Sequence, residues 1–368
     1  MCEPEETFIS AMEQDKPWAL ISEVGGVSQM MEMFCVLPRQ AMEQDKPWAL
    51  ISEVGGDCGL LEDHLDIVKR HFQVLCYQDL LQNPELHGPK VQALLMWRYY
   101  PEARPALLRM LPSLKVVSSG GAGVDHLDVA FINGLGAKVS NTPGVVSRAT
   151  ADLAMGLLLA SARRILEGHR VARDPETRRI PLNLQGADVS GATLGIVGMG
   201  DTGFKIAQRG HGFEMDVLYH NRNRRSLEDE QAVGATFCQK LDELLTRSDF
   251  VVLAVRLTSE TAGLIGTREL ELMKPTATLV NISRGQVVDQ DALVQALRSG
   301  TIRAAALDVT HPEPLPRDHP LFGLPNVLIT PHVGANTSST AGRMVEMMVE
   351  SAVAAIRGLP VPYEVKPK

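Results

Sequence analysis

The segment Leu194 to Ile206 constrains this chain more than any other. It reads Leu-Gly-Ile-Val-Gly-Met-Gly-Asp-Thr-Gly-Phe-Lys-Ile: an apolar run, glycines at 198, 200 and 203, then a helical pattern. A strand, a G-x-G-x-x-G turn and a helix in that order form a dinucleotide-binding fingerprint. Gly198 permits the tight turn, Gly200 lets backbone approach a pyrophosphate, and Gly203 lets the helix lie close on the strand. The free N–H groups of the helix start then face the phosphates.

The 368 residues suffice for two domains. A net charge of −8 and the lack of a long basic run argue against nucleic acid or an anionic membrane surface as partner. The five cysteines are scattered, with no C-x-x-C and no metal-ligand spacing, as expected of free thiols in a reducing compartment. No signal-peptide pattern opens the chain and no apolar stretch reaches membrane-spanning length, so a cytoplasmic protein is expected.

Residues 11–26 recur unchanged at 41–56. Repeat arrays diverge and repeat whole supersecondary units, and this copy is one strand with its lead-in. Only one copy can occupy a sheet. The second leads straight into a helical pattern, so residues 1–46 are read as an appended segment. From 47 onward short β runs alternate with helical patterns. Strands are expected at 48–54, 72–75, 93–97, 116–118 and 138–140, and a largely apolar helix at 151–166. Residues 168–190 read as polar and irregular. A second series places strands at 193–197, 215–219, 249–254, 278–282, 304–308 and 327–329, and a final helix at 337–357. The fold class is therefore α/β: two doubly wound parallel-sheet domains with a cleft between, one flavodoxin-like and one Rossmann. The expected boundaries are 47–146 plus 336–368 for the substrate domain and 147–335 for the dinucleotide-binding domain.

The end of the second Rossmann strand selects the cofactor. An acid there binds the ribose of NAD. Here Asn221 takes that position and Arg222, Arg224 and Arg225 follow. Arginines suit the 2′-phosphate of NADPH, so NADPH is the expected cofactor, with NADH the alternative. Three later strands end in Arg284, Glu313 and His332, at the sheet edge where ligands of such folds sit. Reduction of a 2-oxo acid needs its carboxylate anchored, its keto oxygen polarised and a proton delivered. Arg284 suits the first two tasks. Histidine titrates near neutrality, so His332 suits the third, with Glu313 favouring its charged form.

At these residues the chain resembles the D-isomer-specific 2-hydroxyacid dehydrogenases, most of all their glyoxylate/hydroxypyruvate reductase branch. The shared motifs are Gly-Val-Asp-His-Leu at 123–127, Asn-Thr-Pro-Gly-Val at 141–145, the glycine turn, Asn-x-x-Arg-Gly, Leu-Asp-Val followed by Pro-Glu-Pro-Leu, and Pro-His-x-Gly. The resemblance implies that Arg284, Glu313 and His332 are catalytic and that Ala122 and Gly123 meet substrate through backbone N–H groups. It implies that Asp308 holds the nicotinamide carboxamide and that Asp201, Thr202, Val255, Arg256, Ile282 and Gly334 line the cofactor. It also implies a homodimer built on the 151–166 helix. Trp97 and Arg98 are read as a substrate-side wall. Three features depart from the family pattern: Asp201-Thr202 where Arg-Ile is common, Val255 to Thr258 in place of a proline-containing segment, and no tryptophan in 168–190.

Two rival readings are a nucleotide-sensing scaffold of the corepressor type and an NAD-linked phosphoglycerate-type dehydrogenase. The first expects a long low-complexity tail and the second an acid after the second strand; neither feature is in the chain.

Overall fold

The computed structural model describes residues 46–56, 59–60 and 62–367. Residues 1–45 of the appended segment, the first copy of the duplicated stretch among them, lie outside the described residues. The second copy forms β1 (Trp48–Ile51), followed by α1 (Glu62–Lys69), β2 (Gln73–Cys76), α2 (Tyr77–Gln82), α3 (Pro84–His87), β3 (Val91–Met96), α4 (Pro105–Arg109), β4 (Val116–Ser119), α5 (Val129–Gly134) and β5 (Lys138–Ser140). The five strands form one parallel sheet in the order β2-β1-β3-β4-β5.

Two helices then lead into the second lobe: α6 (Ser147–Ala162) and α7 (Ile165–Arg173). The expected helix at 151–166 thus starts earlier and ends earlier. Arg164 adopts a left-handed conformation (φ 52°) and breaks it, and α7 carries helix into the stretch read as irregular. The largely apolar face of α6 is buried inside its own subunit, where Ala154, Met155 and Leu158 join the core under the second sheet.

The second lobe continues with β6 (Thr193–Val197), α8 (Asp201–Gly212), β7 (Asp216–His220), α9 (Leu227–Val233), β8 (Ala235–Phe237), α10 (Leu241–Arg247), β9 (Phe250–Leu253), α11 (Thr267–Leu272), β10 (Thr278–Asn281), α12 (Gln290–Ser299), β11 (Ala304–Leu307) and β12 (Val327–Ile329). Its seven parallel strands run in the order β12-β11-β10-β9-β6-β7-β8. Every residue of β9, β10 and β11 is buried, as a parallel sheet covered on both faces requires. The last helix, α13 (Ser338–Ile356), is capped by the Thr337 side chain and returns to the first lobe. There Met344, Val345 and Met348 pack with Ala49, Ile51 and Leu95. Among the described residues no helix is long and apolar enough to cross a membrane.

Candidate active site

The glycine turn joins β6 to α8 and uses each glycine differently. Gly198 has φ +98°, and a Cβ there would stand 2.8 Å from the Ala254 carbonyl carbon. A Cβ on Gly203 would stand 2.3 Å from the Gly198 oxygen, which fixes how closely α8 lies on β6. At Gly200 a Cβ would meet nothing within 4 Å. The backbone there stays open in front of the α8 N-terminus, a fit for a dinucleotide pyrophosphate.

The ends of β10, β11 and β12 bring Arg284, Glu313 and His332 to one side of the cleft. Glu313 Oε2 accepts from His332 Nδ1 at 2.8 Å, and Oε1 accepts from the Thr310 amide at 3.0 Å. A carboxylate only accepts, so Nδ1 carries the proton and Nε2 is left for a ligand. Burial works to raise the Glu313 carboxyl. The hydrogen bond and charge of His332, the Thr310 amide and Arg284 outweigh it and hold Glu313 below its usual value.

His332 sits in a left-handed conformation (φ 53°), held by the residues around it. Its amide donates to the Asp308 carbonyl at 2.8 Å. The Asp308 carboxylate, 2% exposed, accepts from Thr330 Oγ1 (2.7 Å), Val333 N (2.8 Å) and Gly334 N (2.9 Å). Both Asp308 oxygens are therefore engaged in shaping the His332 turn, a job the sequence reading had not given it. Gly334 is packed between this carboxylate and Thr150.

Arg284 faces the first lobe. Its Nε donates to Asp125 Oδ1 at 3.1 Å, and Nη1 donates to the Ser283 carbonyl at 2.9 Å. Gly123 lies directly beneath: a Cβ there would fall 1.8 Å from Arg284 Nη2. The Ala122 carbonyl accepts from Asn141 Nδ2 at 2.7 Å, which holds the 122–123 strip in place.

The substrate-side wall needs correction. Trp97, only 7% exposed, belongs to the core of the first lobe, because β3 runs its side chain inward against α13. Arg98 is exposed. Tyr99 turns inward instead, because Arg98 and Tyr99 both have positive φ (51° and 66°). Its ring lies 5.9 Å from the His332 ring and 4.5 Å edge-on to His126. Nothing in the sequence signals two consecutive left-handed residues without glycine. His126 hydrogen-bonds Ser119 Oγ at 3.1 Å. Burial drives its pKa down from 6.5 to about 4, with Asp125 opposing and Arg284 assisting.

The loop after β7 also differs from expectation. Asn221 clamps the glycine turn: Oδ1 accepts from Met199 N at 2.6 Å and Nδ2 donates to Met199 O at 3.2 Å. Arg222 pairs with Glu260 at 2.9 Å. Arg224 is held by both oxygens of Glu230 at 2.8 and 2.7 Å, so its fork is already filled by a carboxylate. Arg225 pairs with Asp229 at 3.1 Å and also folds back toward the turn, donating to Met199 O at 3.0 Å and lying 4.9 Å over the Phe204 ring. Asp201 is exposed at the first turn of α8, and Thr202 Oγ1 donates to Ser147 Oγ at 3.3 Å. The carbonyls of Val255 and Arg256 accept from Ser283 Oγ and Thr261 Oγ1. Ile282 is buried in the sheet core.

Comparison with known proteins agrees with this architecture. Residues 155–334 match the model of the D-isomer specific 2-hydroxyacid dehydrogenase NAD binding domain. The chain is 41% identical over 301 residues to a glyoxylate reductase of Thermococcus gammatolerans, covering 80% of this chain and 89% of that protein. It is 43% identical over 255 residues to glyoxylate/hydroxypyruvate reductase B of Citrobacter koseri, covering 69% and 78%. The crystal structure of the NADPH-dependent glyoxylate/hydroxypyruvate reductase of Sinorhizobium meliloti, in complex with NADP and malonate, superposes with a TM-score of 0.75 at 27% identity, covering 87% of this chain and 97% of that one. With the glycine turn, the paired sheets and the extent of these matches in hand, the chain belongs to the D-isomer-specific 2-hydroxyacid dehydrogenases, a family of nicotinamide-dependent oxidoreductases.

Proposed function

We propose that this enzyme reduces small 2-oxo acids, glyoxylate and hydroxypyruvate first among them, to D-2-hydroxy acids with NADPH. The observation that carries the reading is the His332–Glu313 pair, set with Arg284 at one edge of the cleft. Arg284 anchors the substrate carboxylate and polarises the keto oxygen through its charge. The backbone N–H groups of Ala122 and Gly123 hold the other carboxylate oxygen. His332 Nε2 hands its proton to the keto oxygen, and Glu313 stabilises the imidazolium before transfer and keeps the ring aimed. Tyr99 walls the site on the first-lobe side and favours substrates with a small second substituent.

Gly198, Gly200, Gly203 and Thr202 would hold the cofactor at the glycine turn, with Asp201, Val255, Arg256, Ile282 and Gly334 along its length. Asp308 would meet the carboxamide only through capacity left over from the His332 turn. When bound, the nicotinamide supplies the hydride. The preference for NADPH is argued from the acid-free end of β7, where Asn221 is followed by Arg222, Arg224 and Arg225. A homodimer in the cytoplasm completes the reading, supported by exposed apolar residues after α6 and by cysteines without metal or disulfide spacing.

Initial rates of NADPH and NADH oxidation with glyoxylate and hydroxypyruvate, beside a His332→Ala variant, test it. Turnover with NADPH preference that collapses in the variant is expected. Tight dinucleotide binding without turnover on any 2-oxo acid would overturn it.

A further inference from the structure

Glu313 stands on an exposed loop whose anchorage is unusual. Val309 and Leu315 fix the two ends of the loop in the core, while His311 to Pro314 between them are exposed. Among the described residues this exposed stretch makes no backbone–backbone hydrogen bond. Side chains meet its polar groups instead. Thr310, inside the loop, donates its amide to Glu313 Oε1 at 3.0 Å and its hydroxyl to the Pro312 carbonyl at 3.1 Å. Two side chains from other elements bond to it: His332 at Glu313, and Gln290 at His311.

Gln290 uses both ends of its amide. Its Oε1 accepts from the His311 amide at 2.8 Å, and its Nε2 donates to the His311 carbonyl. One planar group thus fixes the His311 backbone in position and in orientation, as the partner in a β ladder would. Gln290 is itself held where it opens α12. Asp289 Oδ1 accepts from the Ala292 amide at 3.0 Å, and the Asp289 amide donates to the Ile265 carbonyl at 2.9 Å. The same short segment begins at Arg284. Gly285, next to it, packs so closely that a Cβ would stand 2.1 Å from the Thr310 carbonyl carbon. Residues 284–290 therefore touch the Glu313 loop at both ends, Gly285 against Thr310 and Gln290 against His311.

A carboxylate that aims His332 cannot be located by His332 itself. The independent anchor is Gln290. We propose that Gln290 is a positioning residue for the His332–Glu313 pair: it registers the Glu313 loop against the segment that carries Arg284, so that proton donor and carboxylate anchor share one frame. The kinetic consequence rests on the reaction proposed above, and the structural one does not.

Gln290→Met keeps the length of the side chain and removes both bonds. With glyoxylate and NADPH, kcat should fall about ten- to a hundredfold, the cost of roughly an ångström of misplacement, while KM and the Kd for NADPH stay within about twofold. Gln290→Glu still accepts from the His311 amide and no longer donates, so its kcat should lie between the two. In a Glu313→Gln background, Gln290→Met should cost less than about twofold more, because the group it positions is gone. A merely structural role would cost the same factor in both backgrounds, and that result would overturn the proposal. Amide exchange followed by mass spectrometry gives a readout that needs no turnover. The peptide spanning Thr310 to Leu315 should exchange about tenfold faster in Gln290→Met, with the glycine-turn peptide unchanged. An enzyme that reduces glyoxylate, with kcat or loop exchange unmoved in Gln290→Met, loses the positioning role and keeps the reaction. Faster loop exchange in a chain that reduces no 2-oxo acid keeps the clamp and loses the reaction.

Discussion

Arg284 and Asp125 meet across the cleft, with Nε 3.1 Å from Oδ1, although they stand 159 positions apart in the chain. Burial works to raise the Asp125 carboxyl, and the hydrogen bond and charge of Arg284 outweigh it, leaving Asp125 below its ordinary value. On the proposed reading a carboxylate from the first lobe therefore competes with the substrate carboxylate for one guanidinium. Asp125→Asn should tighten dicarboxylate inhibitors such as malonate about two- to fivefold, the scale of a partly exposed ion pair. It should also lower kcat, because Arg284 loses an aiming partner. Inhibition constants beside kcat check this; weaker inhibitor binding would count against competition.

Glu313 and His332 should behave as one unit. Glu313→Gln and His332→Gln are each expected to lower kcat about 10²- to 10⁴-fold, and the double variant little further. Independent, multiplying losses would mean that the two act separately.

On the proposed reading Tyr99 limits the size of the substrate. Tyr99→Ala should shift kcat/KM toward 2-oxo acids with larger side chains by about tenfold or more relative to glyoxylate, the range that one or two methylenes command in a pocket. An unchanged ratio would move the wall elsewhere.

His126 makes stability depend on pH. Its folded pKa is about 4 against 6.5 for the free side chain, so the unfolded chain binds the extra proton first as pH falls. Stability should decline from pH 6.5 to pH 4 by up to about 3 kcal/mol from this group, and no further below that. Thermal unfolding across that window should show a shallower slope in His126→Gln than in the parent chain. Equal slopes would remove His126 from the account.

The exposed apolar residues of the 165–182 stretch are where the contact of the proposed homodimer is expected to lie. Ile180 is 81% exposed and Leu182 92%, with Ile165 and Leu166 on α7 also open to solvent. Such a stretch on a lone subunit is costly. The double variant Ile180→Glu/Leu182→Glu should convert a dimer into a monomer by sedimentation or light scattering; a dimer of undiminished stability would place the interface on another surface.

Much of this arrangement is readable from residue pattern alone. The three glycines take the three roles that spacing assigns them, and strand positions agree within one or two residues for most of the chain. The elements that escape are short and polar. α9 has no counterpart among the expected helices because its sequence is mostly charged, although Ser226, whose Oγ accepts from the Asp229 amide, and the left-handed Gly234 mark both its ends. The arginines after β7 show what composition leaves out. Their carboxylate partners lie 4 to 38 residues further along and become visible only in the fold. Tyr99 and Asp125 escape for a related reason. One depends on an improbable backbone conformation, the other on a partner in the opposite lobe.

The buried Asp308 knot has a consequence for how such a site can change. It ties His332, the proton donor of the proposed reaction, to the lobe that also carries the glycine turn, Arg284 and Glu313. The contacts that reach the other lobe, Asp125 to Arg284 and Tyr99 toward His332, involve none of the bonds that aim His332. On the proposed reading, the hydrogen bonds that aim His332 and the ring that faces the substrate lie on separate pieces of chain. The Tyr99 loop of the first lobe could then change without disturbing the knot that holds His332.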